Sequence, residues 1–194
     1  MKLPSLITIL FVASSILPAS AVDKIDEFLG LKFGASPTVA KTAMLARGSK
    51  LKDEKTPDML RFTEGTYAGQ QINELDLQFS GDHFAVATVT LKFETDKSDE
   101  KGLALYDSIR KSLTDKYGPP TTAPSTARGK NFIEKAKASE LETTWLFKDA
   151  LKGDHRSITL RVPGIGMYSW TFKVIYQDHK VGGASKGTPP RKDI

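Results

Sequence analysis

Alternation of apolar and polar residues over several short segments is the feature that most limits the folds open to this chain. In one segment Leu75, Leu77 and Phe79 alternate with acidic or amide residues. The alternating segments are Ile72–Phe79, Ala85–Phe93, Arg156–Val162 and Tyr168–Tyr176. A period of two indicates strands with one buried and one solvated face, as in an antiparallel sheet. Met59–Thr63 and Thr143–Lys148 predict two shorter strands.

A first helix is predicted to begin at Pro37, with Ser36 as its N-cap, and to end at Gly48. Its apolar face is expected to consist of Val39, Ala43, Met44 and Ala46. The charged residues 50–57 that follow predict a loop.

A second helix is predicted over Asp99–Tyr117, with Ser98 as its N-cap and a stop at Gly118-Pro119-Pro120. Its apolar stripe is expected to consist of Leu103, Tyr106, Ile109 or Arg110, Leu113 and Tyr117. Residues 121–139 lack a clear period and predict a loop, with one helical turn near Ile133–Ala138.

These elements together predict the α+β class. The expected order is (β)-α-β-β-β-α-β-β-β, in which a helix followed by three strands occurs twice. We therefore expect an antiparallel sheet of about six or seven strands with two helices on one face.

Residues 1–21 have the pattern of a secretory signal peptide. Lys2 precedes the apolar stretch Leu3–Leu17, and Pro18-Ala-Ser-Ala21 offers a small-x-small cleavage site. Since the stretch is shorter than the roughly 20 residues that span a bilayer, we expect cleavage and no membrane span in the mature protein. The chain has no cysteine, so neither a lipid-modified cysteine nor a disulfide is expected. A periplasmic or secreted location follows.

The rest of the chain is predicted to form a single domain over 22–179 and a disordered basic tail over 180–194. The tail contains five charged residues with a balance of +3, and the signal contains Lys2. Only +1 of the total +5 therefore remains on the domain. A nucleic-acid-binding protein would carry a basic stripe on its fold, so we expect no nucleic-acid partner.

Two segments resemble a broad set of uncharacterised exported bacterial proteins. They are the "LG-x-x-FG" segment Leu29–Gly34 and the helix end Leu113-Thr-Asp-Lys-Tyr-Gly-Pro-Pro120. The layout of helices and antiparallel meanders is also similar to that of β-lactamase-inhibitor proteins and small outer-membrane assembly lipoproteins. The resemblance implies a fold but carries no active-site residue, and the lipoproteins' anchoring cysteine is missing.

No catalytic or metal-binding residues are predicted. His83, His155 and His179 are scattered in the sequence, without the paired spacing of metal ligands. No G-x-S-x-G motif marks a nucleophilic serine, and the carboxylates lie in loops or at the ends of elements. We expect no cofactor.

The aromatic residues of the later strands could line a ligand groove, but alternation favours a place in the core. They are Trp145, Tyr168, Trp170, Phe172 and Tyr176. Tyr67 is different because glycines bracket its loop, Glu64–Gly69, and we expect it to be exposed. An exposed aromatic residue can anchor a partner, so Tyr67 is the one predicted partner-binding residue.

The function predicted from these observations is a soluble, non-enzymatic binding or interaction module of the bacterial cell envelope. Its partner would be an envelope protein or polymer, and its oligomeric state is left open. Two alternatives remain: a small hydrolase of wall or envelope polymers, with carboxylates brought together by the fold, and an envelope-assembly factor.

Overall fold

The computed structural model describes residues 25–55, 58–94, 99–123, 141–148, 155–165 and 169–182. Several predictions fall outside these ranges: the signal peptide, the cap at Ser98, the turn near Ile133–Ala138, Tyr168 and most of the tail.

The described elements are two long helices, one helical turn and eleven strands. The helices are α1 (Pro37–Ala46), α2 (Asp99–Tyr117) and the single turn α3 (His179–Gly182). The strands are β1 (Glu27–Phe28), β2 (Leu31–Lys32), β3 (Lys50–Lys55), β4 (Met59–Thr63), β5 (Thr66–Tyr67), β6 (Gln70–Gln71), β7 (Glu74–Ser80), β8 (His83–Glu94), β9 (Glu142–Lys148), β10 (His155–Ile165) and β11 (Ser169–Asp178).

Seven of the strands form one antiparallel sheet in the order β3-β4-β7-β8-β11-β10-β9. One meander follows α1, the other follows α2, and they meet where β8 pairs with β11. The predicted α+β class with an antiparallel sheet is confirmed. The first meander contributes four strands to this sheet, one more than predicted. The predicted loop Glu64–Gly69 is part of the small hairpin β5–β6, whose second strand is Gln70–Gln71.

The core lies on one face of the sheet, which we call the inner face. Strand register places one apolar row across six strands, and every member is buried: Leu60, Leu77, Ala87, Tyr176, Ile158 and Trp145. The aromatic residues predicted to be core are buried wherever the structure describes them, and Trp170 is only 1% exposed.

Helix α1 begins and ends where the sequence predicts, but its buried face is only partly the predicted one. The Ser36 side chain accepts a hydrogen bond from the Val39 backbone N–H, and Gly48 has a φ of +82°. Ala40 and Met44 are buried, whereas Val39 is 55% exposed. The predicted face was therefore correct for Met44 and for Ala43, which packs against the core, and wrong for the exposed Val39 and Ala46, because the buried side of this short helix follows the i, i+4 pair Ala40 and Met44.

Helix α2 occupies the predicted range and packs on the inner face. The stripe residues Tyr106, Ile109, Leu113 and Tyr117 are buried. The Tyr106 hydroxyl lies 2.7 Å from the Thr143 hydroxyl of β9. Both long helices therefore bury their apolar sides against the face that holds the core.

The charged segment predicted as a loop is the edge strand β3, so that prediction was wrong. Lys50–Lys55 pairs with β4 and contains only one apolar residue, Leu51. Charged side chains on an edge strand disfavour pairing with another sheet. Lys52 lies 3.3 Å from Glu74, and Lys41 of α1 lies 2.6 Å from Glu54.

The "LG-x-x-FG" segment has a structural explanation. Leu29 and Gly30, with φ of 48° and 79°, form the two-residue turn of the β1–β2 hairpin, where positive φ is required. Gly34 has a φ of 85°, and its N–H donates to the Phe84 carbonyl of β8. The segment thus attaches the start of the chain to the sheet.

Candidate functional site

The outer face of the sheet, opposite the core, is a regular surface formed by seven paired strands. Within the described ranges, neither α1 nor α2 lies on it. Because residues alternate along each strand, the neighbours of the core residues point outward. On the three adjacent strands β8, β11 and β10 these are Val86, Thr88, Thr90 and Lys92, then Thr171, Lys173, Ile175 and Gln177, then Ser157, Thr159 and Arg161. The surface is rich in threonine and basic residues.

On one side of the outer face, positive and negative charges are matched. Arg61 of β4 donates through Nε to Asp76 Oδ1 at 2.7 Å and through Nη2 to Asp76 Oδ2 at 3.2 Å. Glu74 Oε2 lies 3.4 Å from Arg61 Nε and 3.3 Å from Lys52 Nζ. These carboxylates are therefore held by cations and do not form a free acidic pair.

On the other side, three basic residues lie together, and we call Lys92, Lys173 and Arg161 the cationic patch. Lys173 of β11 is the cross-strand partner of Arg161 in β10. Lys92 of β8 is the partner of Thr171, two residues from Lys173 on the same face. The ion pairs formed among the described residues include none of the three. Lys92 and Arg161 are exposed, and Lys173 is half-buried.

The opposite end of the outer face carries two stacked histidines. The rings of His155 and His179 are 4.1 Å apart between centroids and 23° from parallel. The Ser157 hydroxyl lies 2.9 Å from His179 Nε2. Burial lowers the pKa of His179, His155 lowers it further, and Asp178 acts in the opposite direction. The sequence treated these histidines as scattered, but the pairing of β10 with β11 brings two of them together; His83 begins β8.

Next to the histidines, on the inner side, Arg156 joins three segments of the chain. Its Nε donates to Asp178 Oδ2 at 2.7 Å, and its Nη1 donates to the Ile25 carbonyl at 2.8 Å and to Asp26 Oδ1 at 2.5 Å. The guanidinium also lies over the Phe33 ring, 5.3 Å from its centroid. This cluster fastens the start of the described chain to the sheet.

Tyr67 was expected to be exposed, and that expectation was wrong. It is 5% exposed, and its hydroxyl lies 2.8 Å from that of Tyr176 in the core. Burial raises the pKa of Tyr67 well above its usual 10. The glycine-bracketed turn folds the tyrosine inward, because β5 and β6 form a hairpin. The binding role predicted for Tyr67 was based on its exposure. Because the side chain is buried, that basis is lost, and the binding role stays an untested prediction.

One shallow cleft of about 320 Å³ lies beside α2, lined by Asp107, Arg110, Lys111, Thr114 and Pro120. Its basic residues are neutralised: Arg110 lies 3.3 Å from Asp107, and Lys111 lies 2.5 Å from Asp115. The cleft therefore offers less unmatched charge than the cationic patch.

Among the described residues, no three His, Asp or Glu side chains are grouped so as to hold a metal ion. No helix in these ranges is long and apolar enough to cross a membrane. Comparisons with family models, curated proteins and solved structures found no match to this chain.

The cationic patch and the histidine pair were both missed from the sequence. Alternation identifies Lys92, Lys173 and Arg161 as outward-facing, but the order of strands decides which of them are neighbours. The signal that could have been used is the excess of cations at outward positions of β8, β10 and β11, which carry Lys92, Lys173 and Arg161 but only one acid, Glu94.

Proposed function

We propose that the chain is an exported, non-enzymatic binding module of the bacterial cell envelope and that it binds its partner on the outer face of the sheet. Periplasmic or secreted localisation is part of the proposal and is supported by the signal-peptide pattern of residues 1–21.

The observation that carries the proposal is the difference between the two faces of the sheet: the inner face forms the core, and the outer face does not. The described aromatic residues of the later strands are buried in the core, and the apolar sides of both long helices pack against it. The outer face carries hydroxyl, basic and a few apolar side chains at regular spacing on β8, β11 and β10, and matched ion pairs on the side of β4 and β7. Among the described elements, α1 and α2 lie on the other face of the sheet, and the turn α3 contacts the outer face at its histidine end. A regular sheet face is rigid, so a partner can bind it without first ordering the protein, which lowers the entropic cost of binding.

The proposal is tested by placing a bulky side chain on the outer face in β10, two residues from Arg161 of the cationic patch. Thr159→Tyr adds a large side chain that strands accommodate well, and Val39→Tyr adds the same side chain to the exposed surface of α1. The readout is co-sedimentation of the purified exported protein with an isolated envelope fraction. We expect Thr159→Tyr to reduce binding about tenfold or more and Val39→Tyr to leave it unchanged. Absence of co-sedimentation, or equal binding by both variants, would contradict the proposal.

Export is tested separately by fractionating cells that express the full chain. We expect a processed protein outside the cytoplasm whose first residue is Val22. An unprocessed N-terminus, or recovery of the protein from the cytoplasm alone, would remove the localisation.

A hydrolase is the second candidate, and the Ser157–His179 contact is the observation that favours it. A hydroxyl within hydrogen-bond reach of an imidazole is the start of a nucleophile–base pair. The Asp178 oxygens accept from Arg156 and from the Lys180 backbone N–H, so the neighbouring carboxylate is already used structurally. Turnover of an envelope polymer that Ser157→Ala abolishes would favour this candidate; turnover that survives the substitution, or none at all, would count against it.

A further inference from the structure

We infer that the cationic patch binds a polymer whose negative charge is carried on phosphate groups. This inference rests on the proposed binding role of the outer face and names the ligand class that the patch fits.

The three cations of the patch lie close enough to repel one another. Lys173 and Arg161 are direct cross-strand partners, and Lys92 lies diagonally across from Lys173. Direct partners have Cβ atoms about 5 Å apart, diagonal neighbours about 7–8 Å apart, and like charges at such positions are destabilising. An anionic group above the three side chains would convert this repulsion into attraction.

The rest of the outer face shows that unmatched charge is not a general property of this sheet. Arg61 and Lys52, on β4 and β3, are held by Asp76 and Glu74. The acids at outward positions next to the patch are Glu94, two residues beyond Lys92 in β8, and Glu142 in β9, whereas the other nearby outward positions of β8, β11 and β10 carry Thr90, Thr171, Ile175 and Thr159. Glu142, the cross-strand partner of Arg161 in β9, accepts a hydrogen bond from the Thr144 hydroxyl at 3.3 Å.

The composition of the patch favours phosphate. Lysine binds phosphate as a compact point charge, and the arginine fork can donate two parallel hydrogen bonds to it. The threonine hydroxyls of Thr90, Thr171 and Thr159 alternate with the three cations. Each hydroxyl can donate to a further phosphate oxygen.

The openness of the patch favours a polymer over a small anion. The three cations extend over β8, β11 and β10, and the outermost, Lys92 and Arg161, are two strands apart and offset by two residues, which places them about 12 Å apart. They lie on an open sheet face, where water weakens the attraction between any one cation and a bound anion. A polymer places several phosphates over the patch at once, and each contact after the first is then intramolecular.

The test measures fluorescence anisotropy of a labelled poly(glycerol phosphate) oligomer with the exported protein. The double variant Lys173→Gln/Arg161→Gln removes two charges from the patch. The matched variant Lys41→Gln/Lys52→Gln removes two charges that are held in ion pairs with Glu54 and Glu74. We expect the patch variant to weaken binding about tenfold or more, because each lost cation removes a charge-assisted contact. The matched variant should change binding less than about twofold.

Salt dependence provides a second readout. Binding should weaken linearly on a plot of log K against log salt, and the patch variant should have a shallower slope because it releases fewer counterions. Equal slopes for the wild-type protein and the patch variant would contradict the inference, as would equal weakening by the two double variants.

Other anions are compared at the same salt concentration. Polyglutamate, single-stranded DNA, inorganic phosphate and phosphatidylglycerol vesicles should all bind more weakly than the glycerol-phosphate oligomer. Tighter binding of any of them would overturn the assignment to a phosphate-bearing envelope polymer. If the wild-type protein binds the envelope fraction and Thr159→Tyr abolishes that binding, but the oligomer does not bind the wild-type protein, the ligand class is wrong and the outer face remains the binding site. If the wild-type protein binds neither the envelope fraction nor the oligomer, both the proposed binding face and the proposed ligand class are wrong.

Discussion

At the residue scale, the Arg156–Asp178 pair illustrates how a polar contact can be essential to a fold without serving its function. The Asp178 side chain is 3% exposed, so its charge depends on the guanidinium of Arg156 for compensation. The same guanidinium bonds the Ile25 carbonyl and Asp26. Removing one partner of a buried pair leaves an uncompensated charge, which is far more costly than losing an exposed pair.

We therefore expect Arg156→Met to lower the free energy of unfolding by about 3 kcal/mol. The matched substitution Arg161→Met, in the same strand but exposed on the outer face, should change it by less than about 0.5 kcal/mol. Urea unfolding followed by circular dichroism measures both. Equal stability of the two variants would show that Arg156 does not hold this end of the sheet together.

The histidine pair predicts a dependence of stability on pH. The folded pKa of His179 lies below its usual 6.5 because of burial and His155. As the pH falls below 6.5, the unfolded chain binds a proton that the folded protein does not, so protons favour unfolding. The contribution of His179 is therefore complete above pH 6.5 and is lost as the pH falls from there through the folded pKa.

The expected result is a lower urea midpoint at about pH 5 than at about pH 7.5, with a smaller difference in His179→Gln. His83→Gln, which removes an exposed histidine from the start of β8, should retain the wild-type difference. If His179→Gln has the full wild-type pH dependence, His179 is not the responsible group.

At the element scale, α2 was predicted to the residue and β3 was missed, for opposite reasons. Helix α2 has 19 residues, about five turns, and it ends just before Gly118, which has a φ of 82°. Its carbonyl accepts from Trp145 Nε1 at 2.9 Å. β3 has only Leu51 to alternate with its charges, because an edge strand buries less than a central one. Periodicity therefore identifies elements that bury a full face and overlooks those at the rim.

The close packing of α2 on β11 gives an element-scale prediction. A Cβ at Gly102 would lie 2.5–2.7 Å from three atoms of the Trp170 indole ring. Gly102→Ala should therefore destabilise the protein by about 1–3 kcal/mol, although alanine favours a helix by about 1 kcal/mol. Ser108→Ala on the exposed side of α2 should stabilise it by about 0.5 kcal/mol. Thermal unfolding compares them, and a stabilised Gly102→Ala variant would refute this packing.

At the scale of the whole molecule, the sequence predicted which side of each alternating strand is buried, but not which strands are neighbours in the sheet. The alternation in β8, β10 and β11 predicts the core correctly because burial is a local property of each strand. The cationic patch depends on β11 lying between β8 and β10, which is set by long-range pairing. Tyr67 was misplaced for a related reason, since only the tertiary fold brings its hydroxyl to Tyr176.

The central claim is that the outer face binds a partner while the helix side does not. Lysine-reactive footprinting by mass spectrometry, with and without the envelope fraction, tests it most directly. We predict that acetylation of Lys92 and Lys173 decreases when the fraction is bound, while acetylation of Lys111 on the exposed side of α2 does not change. Protection of Lys111 alone, or equal protection of all three lysines, would contradict the account.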